Sequence, residues 1–412
     1  MLPGVTTGPF HGVRIVDLTS VVLGPYATML LADLGADVVK VEAPAGDLMR
    51  YVGTERVPAM GSLFLTMNRN KRSIALDLKQ PAALDVLHDL VAGADVVLHN
   101  IRRPAARRLG LDHASLSAVN PSIVFGVAAG YDPRGPYGDR PAYDDVIQAQ
   151  SGLLALQELH LGAARFVPTL IVDKTVGVNL AFAVAAALFA RERDPERRGQ
   201  EVVVPMFEVM TSYLLLEHLL DATFVPPLAP PGYTRILSPD RRTHRTANGS
   251  MCILPYTDPQ AERLAALVGR TDWLADPRFC DRVARTEHHA AWMAELDAVF
   301  ATRTSEEWLP LLDGAGIPAA KVQTLDEVLA DPHLASFGFF EEVEHPALGT
   351  LRQPGVPYTF SRTPGGLRRT APRLGEHSVE VLRETGYDDA RIDALVASGT
   401  VLTPGGRDGS PG

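Results

Sequence analysis

Residues 13–42 read VRIVDLTSVVLGPYATMLLADLGADVVKVE, and the pattern of this stretch indicates the class of fold. The β-branched run Val13–Leu18 predicts a strand, and Gly24-Pro25 predicts the start of a helix that Gly35 ends. The next run, Asp37–Glu42, predicts a second strand. A strand, a helix and a strand at this spacing form one βαβ unit, which joins two parallel strands.

The same order of elements repeats further along the chain. Ser73–Leu78 and Asp95–His99 are predicted strands on either side of a predicted helix, Pro81–Ala92. Two more strands are predicted at Ser122–Ala128 and Glu201–Val204. Because strands and helices alternate, the sequence predicts an α/β fold with a Rossmann-like parallel sheet covered by helices.

The chain has 412 residues, enough for two domains with separate cores. Five prolines lie between Phe224 and Asp240, a composition typical of an extended linker. Helices expected near Gln260–Val268, His288–Phe300 and Ser305–Gly314 predict a smaller α+β domain beyond that linker. The predicted division is a large Rossmann-like domain at 1–224, a linker at 225–249, a small domain at 250–341 and a C-terminal segment at 342–412.

The composition argues against several classes of protein. A hydrophobic content of 46% and a charged content of 21% are ordinary for a soluble globular chain. The net charge of −10 disfavours nucleic acids and anionic membranes as partners, because their phosphates would be repelled. Two cysteines, Cys252 and Cys280, are too few and too far apart for a disulfide framework or a zinc site. We therefore expect a cytoplasmic protein with no metal site.

Targeting and membrane-spanning segments are not expected. The first ten residues lack the basic start and apolar centre of a secretory signal. The longest apolar run, Thr175 to Ala190, has 16 residues, fewer than the ~20 needed to cross a bilayer. This run instead predicts a buried helix from about Thr175 to Arg193.

Common catalytic motifs are missing from the sequence, which lacks G-x-S-x-G, G-x-x-x-x-G-K-[ST], G-x-G-x-x-G and H-E-x-x-H. Their absence disfavours a serine hydrolase, a P-loop NTPase, a simple dinucleotide dehydrogenase and a zincin. One acid stands out instead: Asp173, in PTLIVDKTVG at 168–177, at the start of the long predicted helix. Judged on local sequence alone, such an acid is more often an N-cap that satisfies free helix N–H groups.

Thirteen short motifs occur in a fixed order between Gly12 and Leu382. They are VDL at 16–18, LGADVVKVEAP at 34–44, GD at 46–47, NRNKRSIALDLK at 68–79, ADVVLHN at 94–100, LGL at 109–111, NP at 120–121, GP at 135–136, YDDVIQAQSG at 143–152, PTLIVDKTVG at 168–177, GQ at 199–200, TANG at 246–249 and GIP at 316–318. In content and order they resemble the CaiB/BaiF family, the class III CoA-transferases that include formyl-CoA transferase.

The resemblance implies a role for individual residues. Asp173 matches the catalytic aspartate of the family, which carries the acyl group and then the CoA during turnover. Positions that contact CoA in the family fall on Val22, Leu23, Leu76, Lys79, Asn100, Ile101, Arg108, Tyr143 and Asp144. Within that set, Leu76 and Lys79 are expected near the adenine and phosphates, and Tyr143 and Asp144 near the reacting end.

The resemblance also implies substrates and an assembly. Acyl-CoA and a small carboxylic acid are the expected substrates, and no tightly bound cofactor is expected. The family resemblance further implies a homodimer of two interlocked chains, in which the C-terminal segment returns to the large domain. A CoA-transferase with Asp173 as its nucleophile is therefore the predicted function.

The residues themselves favour a phosphate-binding end. Four arginines lie between Ile101 and Arg108, and guanidinium groups pair well with phosphate oxygens. A solvated basic face is the alternative interpretation for any one of them. Four more basic residues lie just upstream: Arg69, Lys71, Arg72 and Lys79.

The chain departs from the family pattern in two places. Residues 100–105, NIRRPA, replace the usual Asn-Phe-x-Pro-Gly turn, so the aromatic contact to adenine and the turn glycine are lost. The glycine-rich loop that precedes the Asn248-Gly249 turn in formyl-CoA transferases has no counterpart. The resemblance therefore does not extend to specificity for oxalate or formate.

Two other functions remain compatible with the sequence. A 2-methylacyl-CoA racemase resembles the same family but uses a His and an Asp as opposed acid and base. Tyr143 occupies the His position, 30 residues before Asp173 (173 − 143 = 30), and a phenol is a poor base at neutral pH. His160 lies in a variable stretch and is more simply a surface residue. The second alternative, a non-catalytic CoA-binding protein, is disfavoured by the presence of Asp173 with Pro168 and Gly177.

Overall fold

The structure is a computed structural model, and it describes residues 8–404 of the chain. Residues 1–7 of the predicted large domain and residues 405–412 of the predicted C-terminal segment lie outside the described residues. Most of the first ten residues, in which no secretory signal is expected, therefore also lie outside them. Contacts within the chain divide it into two units. The larger unit comprises residues 8–153, 166–214 and 335–404, and the smaller comprises 154–165 and 215–334.

Twelve strands lie within the described range. They are β1 Arg14–Leu18, β2 Asp37–Glu42, β3 Lys71–Leu76, β4 Val96–His99, β5 Val124–Ala129, β6 Gln200–Pro205, β7 His244–Thr246, β8 Gly249–Ile253, β9 Ala319–Lys321, β10 Phe340–His345, β11 Gly349–Pro354 and β12 Val401–Leu402.

Eighteen α-helices are present between residues 8 and 404. They are α1 Leu23–Asp33, α2 Ser62–Met67, α3 Pro81–Ala92, α4 Arg103–Arg108, α5 His113–Val119, α6 Asp144–Gln150, α7 Leu153–Leu161, α8 Ile171–Arg193, α9 Met206–His218, α10 Thr234–Leu237, α11 Asp258–Val268, α12 Arg282–Glu287, α13 His289–Phe300, α14 Ser305–Gly314, α15 Leu325–Leu329, α16 Pro332–Ser336, α17 Ser378–Glu384 and α18 Asp389–Ala397.

The larger unit is built on a seven-stranded sheet in the order β12-β3-β2-β1-β4-β5-β6. Strands β1 to β6 are all parallel to their neighbours, and only β12 runs antiparallel, beside β3. The order 3-2-1-4-5-6 is that of a doubly wound Rossmann sheet, in which the direction of winding reverses between β1 and β4. The predicted α/β fold with a Rossmann-like parallel sheet is confirmed.

Both faces of this sheet are buried, and successive residues of each strand point to opposite faces. Ile15 and Val38 pack with α1 and α8 in one hydrophobic core. Their neighbours Val16 and Val39 pack with α3 and α17 in a second core on the other face. Because the strands are covered on both sides, most of their residues are apolar, and buried charges such as those of Asp17 and Lys71 are paired with each other.

Helix α8 is longer than the sequence analysis predicted. It begins at Ile171 rather than about Thr175 and has 23 residues, so Asp173 belongs to its first turn. By length and composition α8 could also cross a membrane, a property that it shares with the core helices of soluble proteins. About half of its most apolar part is buried in this structure. Gly177 allows α8 to pack closely on α1, because a Cβ at this position would lie 2.8 Å from the carbonyl oxygen of Leu23.

Residues after 335 are part of the larger unit. Strand β12 pairs with β3, and the backbone N–H of Asn70 donates to the carbonyl oxygen of Arg369 at 2.8 Å. The N–H of His377 likewise donates to the carbonyl oxygen of Ser73 at 2.9 Å. The C-terminal part of the chain therefore completes the edge of the sheet at β3.

The smaller unit contains the antiparallel sheet β7-β8-β9 and a core rich in aromatic side chains. The range predicted as a linker, 225–249, includes α10 and β7, and β7 pairs with β8. The contact-based division falls between Leu214 and Leu215 instead of at residue 224. Proline content marked the irregular part of this range, but the pairing of β7 is set by strand neighbours that a local pattern does not reveal.

Candidate active site

A cavity of about 420 Å³ opens at the carboxyl ends of the parallel strands. In doubly wound sheets, ligands bind at this edge where the winding direction reverses. The lining residues are Ser20–Leu23 after β1, Asn100–Arg103 after β4, Val127–Gly130 at the end of β5, Gly138–Tyr143 of the following loop, Asp173, and Met206 after β6.

The turn after β1 forms part of the cavity wall and has a strained backbone. Val21 has a φ of 70°, a left-handed conformation that is rare for a β-branched residue. Its N–H donates to Asp47 Oδ1 at 3.1 Å, and Lys40 Nζ donates to Asp47 Oδ2 at 2.9 Å. Asn100 Nδ2 donates to the carbonyl of Ser20, and Asn100 Oδ1 accepts the Ser20 N–H. These contacts hold the turn in its strained shape.

The start of α1 lies directly after this turn. Val22 is the N-cap residue, and its side chain makes no hydrogen bond to this end of the helix. Val22 and Leu23 both line the cavity. Free N–H groups at a helix start attract anions and developing negative charge. This wall of the cavity is therefore suited to an oxyanion or a phosphate.

Asp173 reaches the cavity from the first turn of α8. Its side chain is 9% exposed. Leu170 is the N-cap of α8, and the N–H of Asp173 donates to Asp144 Oδ2 at 3.0 Å. Within residues 8–404, neither carboxylate oxygen of Asp173 accepts a hydrogen bond. The N-cap interpretation of Asp173 is therefore wrong: its carboxylate faces the cavity, and another acid binds the helix N–H.

The surroundings of Asp173 disfavour its negative charge. Burial, together with the nearby carboxylates of Asp144 and Asp145, raises the pKa of Asp173 to about 7. Asp144 itself is buried directly behind Asp173, at 5% exposure. A carboxylate with a raised pKa is more basic and more nucleophilic when ionised, and perturbed acids of this kind cluster in functional sites.

Comparison with known proteins places the chain among enzymes with this fold. Residues 10–378 match the family model described as CoA-transferase family III. The chain belongs to this family. The resemblance to CaiB/BaiF proteins seen in the sequence is thereby confirmed, and the protein is a CoA-transferase that acts on CoA thioesters.

Relatives and a solved structure agree with this assignment. The chain is 32% identical over 91% of its length to succinyl-CoA–D-citramalate CoA-transferase of Chloroflexus aurantiacus, 94% of which is covered. It is 31% identical over 94% of its length to formyl-CoA:oxalate CoA-transferase of Escherichia coli, 98% of which is covered. A CaiB/BaiF family protein from Brucella suis has the same fold, with a TM-score of 0.79 and 28% identity over 92% of this chain and all of that one.

The structure brings most of the predicted site residues of this CoA-transferase to one cavity. The predicted residues that line it are Val22, Leu23, Asn100, Ile101, Tyr143 and Asp173. Asp144 does not line it and binds the N–H of Asp173 from behind.

Three predicted CoA contacts, Leu76, Lys79 and Arg108, are not among the lining residues. Leu76 is completely buried in β3, and Lys79 and Arg108 are exposed. Leu76 and Lys79 lie in and just after β3, and β2 separates β3 from β1 in the sheet. The cavity lies beyond the ends of β1 and β4, so these two residues do not line it. Contact between these three residues and CoA stays a prediction.

Three of the four upstream basic residues do not form the phosphate site that the sequence suggested. Arg69 pairs with Asp33 at 2.7 Å, and Lys71 pairs with Asp17 at 3.1 Å, both pairs being buried. Arg72 likewise forms ion pairs with three carboxylates. These carboxylates neutralise the charges of Arg69, Lys71 and Arg72, so the interpretation is wrong for these three residues, while a contact between the exposed Lys79 and CoA stays a prediction.

The basic residues that do line the cavity are Arg102, Arg103 and Arg140. In the part of the chain that the structure describes, none of the three has a carboxylate within ion-pair distance. Sequence reasoning included Arg102 and Arg103 in the arginine cluster but missed Arg140. Its position three residues before Tyr143, in a loop that follows β5, was the signal that could have found it.

Proposed function

We propose that this CoA-transferase moves CoA from an acyl-CoA donor to a carboxylic acid through covalent intermediates on Asp173. The observation that carries the proposal is the Asp173 carboxylate, which lines the switch-point cavity and accepts no hydrogen bond within the described chain. A paired structural carboxylate would be unreactive, whereas an unpaired, nearly dehydrated one is a competent nucleophile.

In the first half of the reaction, the Asp173 carboxylate attacks the carbonyl carbon of the donor thioester. The C–S bond breaks, CoA leaves as the thiolate, and a mixed anhydride joins the acyl group to Asp173. The thiolate then attacks the aspartyl carbonyl of the anhydride. This step releases the donor acid as its carboxylate and leaves an Asp173–CoA thioester.

The second half reverses these steps with the acceptor acid. The acceptor carboxylate attacks the aspartyl thioester and expels CoA thiolate, giving a new mixed anhydride. CoA thiolate then attacks the acceptor carbonyl of that anhydride. The products are the new acyl-CoA and the free Asp173 carboxylate, and no net proton is gained or lost.

Other features of the cavity support each step. Each attack creates a tetrahedral oxyanion, and the uncapped N–H groups at the start of α1 are the proposed donors to it. Arg102 and Arg103, which have no ion-pair partner within residues 8–404, are the proposed contacts of the CoA phosphates. The small exposed fraction of Asp173, 9%, limits the access of water to the anhydride.

Small carboxylic acids are the proposed acceptors. The relatives described above carry names that include D-citramalate and oxalate, both small acids. The racemase alternative gains no support, because the lining residues of the cavity include no histidine in the described chain. Solvent deuterium appearing at the acyl α-carbon, with the thioester intact, would favour that alternative instead.

Trapping of the intermediates tests the proposal directly. The wild-type protein is incubated with acyl-CoA and hydroxylamine, and Asp173 is examined by peptide mass spectrometry for a hydroxamate. We expect modification that depends on acyl-CoA, and none in Asp173→Ala, whose transfer rate should fall by about 10⁴-fold or more while CoA still binds. Unchanged turnover in Asp173→Ala would refute the proposal.

We also propose that the protein acts as a homodimer. The observation that supports this is an apolar strip on α8, where Val178, Phe182 and Phe189 are 42%, 72% and 64% exposed. Large apolar side chains on one face of a helix usually mark an interaction surface. Light scattering should give twice the chain mass for the wild type and a smaller mass for Phe182→Glu/Phe189→Glu; a wild-type monomer would refute the proposal.

A further inference from the structure

Gln148 lies at the centre of a chain of hydrogen bonds behind Asp173. It is 1% exposed and sits on α6, four residues after Asp144. Gln148 Nε2 donates to Asp144 Oδ1 at 2.6 Å, and Gln148 Oε1 accepts the N–H of Val167 at 3.0 Å. The other oxygen of Asp144 accepts the N–H of Asp173. Both ends of the segment that leads into α8 are therefore bound to side chains of α6.

These contacts replace the usual cap of a helix. The first N–H groups of a helix have no partner within it, and an N-cap side chain normally binds one of them. Leu170 occupies the N-cap of α8 and cannot do this. Asp144, on helix α6, instead accepts the N–H of Asp173, which is the third residue of α8. Within residues 8–404, the carboxylate of Asp173 accepts no hydrogen bond from its own helix.

The order of donors and acceptors in this chain of hydrogen bonds requires an amide side chain at position 148. The carboxylate of Asp144 needs a donor, and the N–H of Val167 needs an acceptor. Glutamine has both groups on one side chain, whereas an ionised glutamate has only acceptors. Because Gln148 and Asp144 are buried and Val167 is partly buried, an unmatched partner would be costly.

We propose that Gln148 is a positioning residue of the transfer reaction: through Asp144 and Val167 it holds the first turn of α8 so that Asp173 faces the thioester. This inference rests on the proposed role of Asp173. Gln148 is not among the residues that line the cavity, so it acts on the rate of transfer and not on substrate affinity.

The first test is Gln148→Glu, which keeps the size of the side chain and replaces the Nε2 donor by an acceptor oxygen. A carboxylate at 148 would then face the Asp144 carboxylate, where Gln148 Nε2 now lies 2.6 Å from Asp144 Oδ1. Because the two groups repel each other, the first turn of α8 should shift. We expect kcat to fall by about 100-fold while KM for acyl-CoA stays within about threefold. The matched control is Gln150→Glu on the same helix, an exposed residue whose Oε1 accepts the Tyr131 hydroxyl, a bond that a carboxylate can also accept.

The second test restores the polarity from the other side. In Asp144→Asn/Gln148→Glu, the amide at 144 donates to the carboxylate at 148, and its oxygen still accepts the Asp173 N–H. The other oxygen at 148 accepts the Val167 N–H, and the number of negative charges equals that of the wild type. We expect kcat to recover to within about tenfold of the wild type, which a general loss of packing could not produce.

Hydrogen exchange of the backbone amides at 167 and 169–173 separates this inference from the proposed function. Exchange should be faster in Gln148→Glu and slow again in the double variant, whether or not the protein transfers CoA. Unchanged exchange, or faster exchange with unchanged kcat, would overturn the positioning role. A double variant no better than Gln148→Glu would also overturn it. Failure of Asp173 trapping in the wild type, with the exchange pattern as expected, would instead reject the transferase mechanism, and the positioning role with it.

Discussion

Two buried aspartates of the same sheet region have opposite surroundings. Asp17, in β1, is completely buried, and it accepts hydrogen bonds from Lys71 Nζ at 3.1 Å and from the Thr28 hydroxyl at 2.7 Å. Asp173 is nearly as buried, yet no side chain within residues 8–404 donates to it. Burial would raise the pKa of Asp17, but Lys71 and Lys40 hold it below its usual value.

The comparison shows that partners, and not depth alone, separate a structural acid from a reactive one. Asp17 is neutralised by a network that stabilises the sheet and the turn at the cavity. Asp173 has carboxylates as neighbours, and burial with these carboxylates raises its pKa to about 7. Leaving Asp173 unpaired lowers the stability of the fold but makes the carboxylate more nucleophilic, a pattern typical of active sites.

The largest effect on stability is expected from Asp17→Asn. The substitution leaves Lys71 buried without its carboxylate, and breaking a buried ion pair costs roughly 3–5 kcal/mol of unfolding free energy. Urea unfolding followed by circular dichroism measures this. Asp85→Asn, at an exposed acid of α3, is the control and should change little. A loss below about 1 kcal/mol in Asp17→Asn would contradict the distinction drawn here.

A smaller effect of opposite sign is expected from Asp173→Asn. The folded carboxyl has a pKa of about 7, against 3.8 for the same group in the unfolded chain, so the folded wild type binds the proton more tightly than the unfolded chain. Wild-type stability is therefore lost as pH rises from about 4 to 7. The asparagine variant does not titrate, so it should be more stable by roughly 2–4 kcal/mol above pH 7.

Unfolding at pH 8, 6 and 4 checks this expectation. The advantage of Asp173→Asn should be greatest at pH 8, smaller at pH 6 and nearly absent at pH 4. An advantage that stays constant with pH would mean that the charge of Asp173 is not its cause. A variant less stable than the wild type at pH 8 would show that Asp173 has a stabilising partner after all.

The smallest effect is expected in the pH dependence of the transfer reaction. Only the ionised Asp173 is a nucleophile, so kcat/KM should fall about tenfold per unit as pH drops below about 7. Arg102, Arg103, Arg140 and Asp139 also line the cavity, and Asp144 and Asp145 face Asp173 from α6.

Asp145→Asn removes one of these negative charges and should lower the pKa of Asp173. The acid limb of the profile should move to lower pH by a fraction of a unit, whereas Asp85→Asn should leave it in place. A limb that moves to higher pH would contradict the assignment of this limb to Asp173.

The parallel sheet could be predicted because its cause is local. Each β-branched run, such as Asp37–Glu42, is long enough for one buried strand, and Gly35 and Pro81 mark helix ends through backbone geometry alone. The prediction was less accurate where a partner decides the outcome. Helix α8 extends back to Ile171 because Asp144 binds its first turn, and this contact joins residues 29 positions apart.

The site shows the same limit. Asp173 could be selected from the order of motifs, but its N-cap alternative could be rejected only from the position of Leu170 and Asp144 in space. Local sequence predicts that the basic residues Arg69 and Lys71 are available for phosphates, because their partners Asp33 and Asp17 are distant in sequence. Ion pairing across a fold is not visible in local composition.

By itself the sequence determined the α/β class, the order of strands and helices, and the identity of the acid at 173, because periodicity, turn residues and motif order are properties of short stretches of chain. Only the tertiary structure decided which charges are neutralised, which line the cavity, and that Gln148 and Asp144 hold the first turn of α8. The physical reason is that the reactivity of a charged group depends on burial and on neighbours within a few ångströms, and folding brings those neighbours from distant parts of the chain.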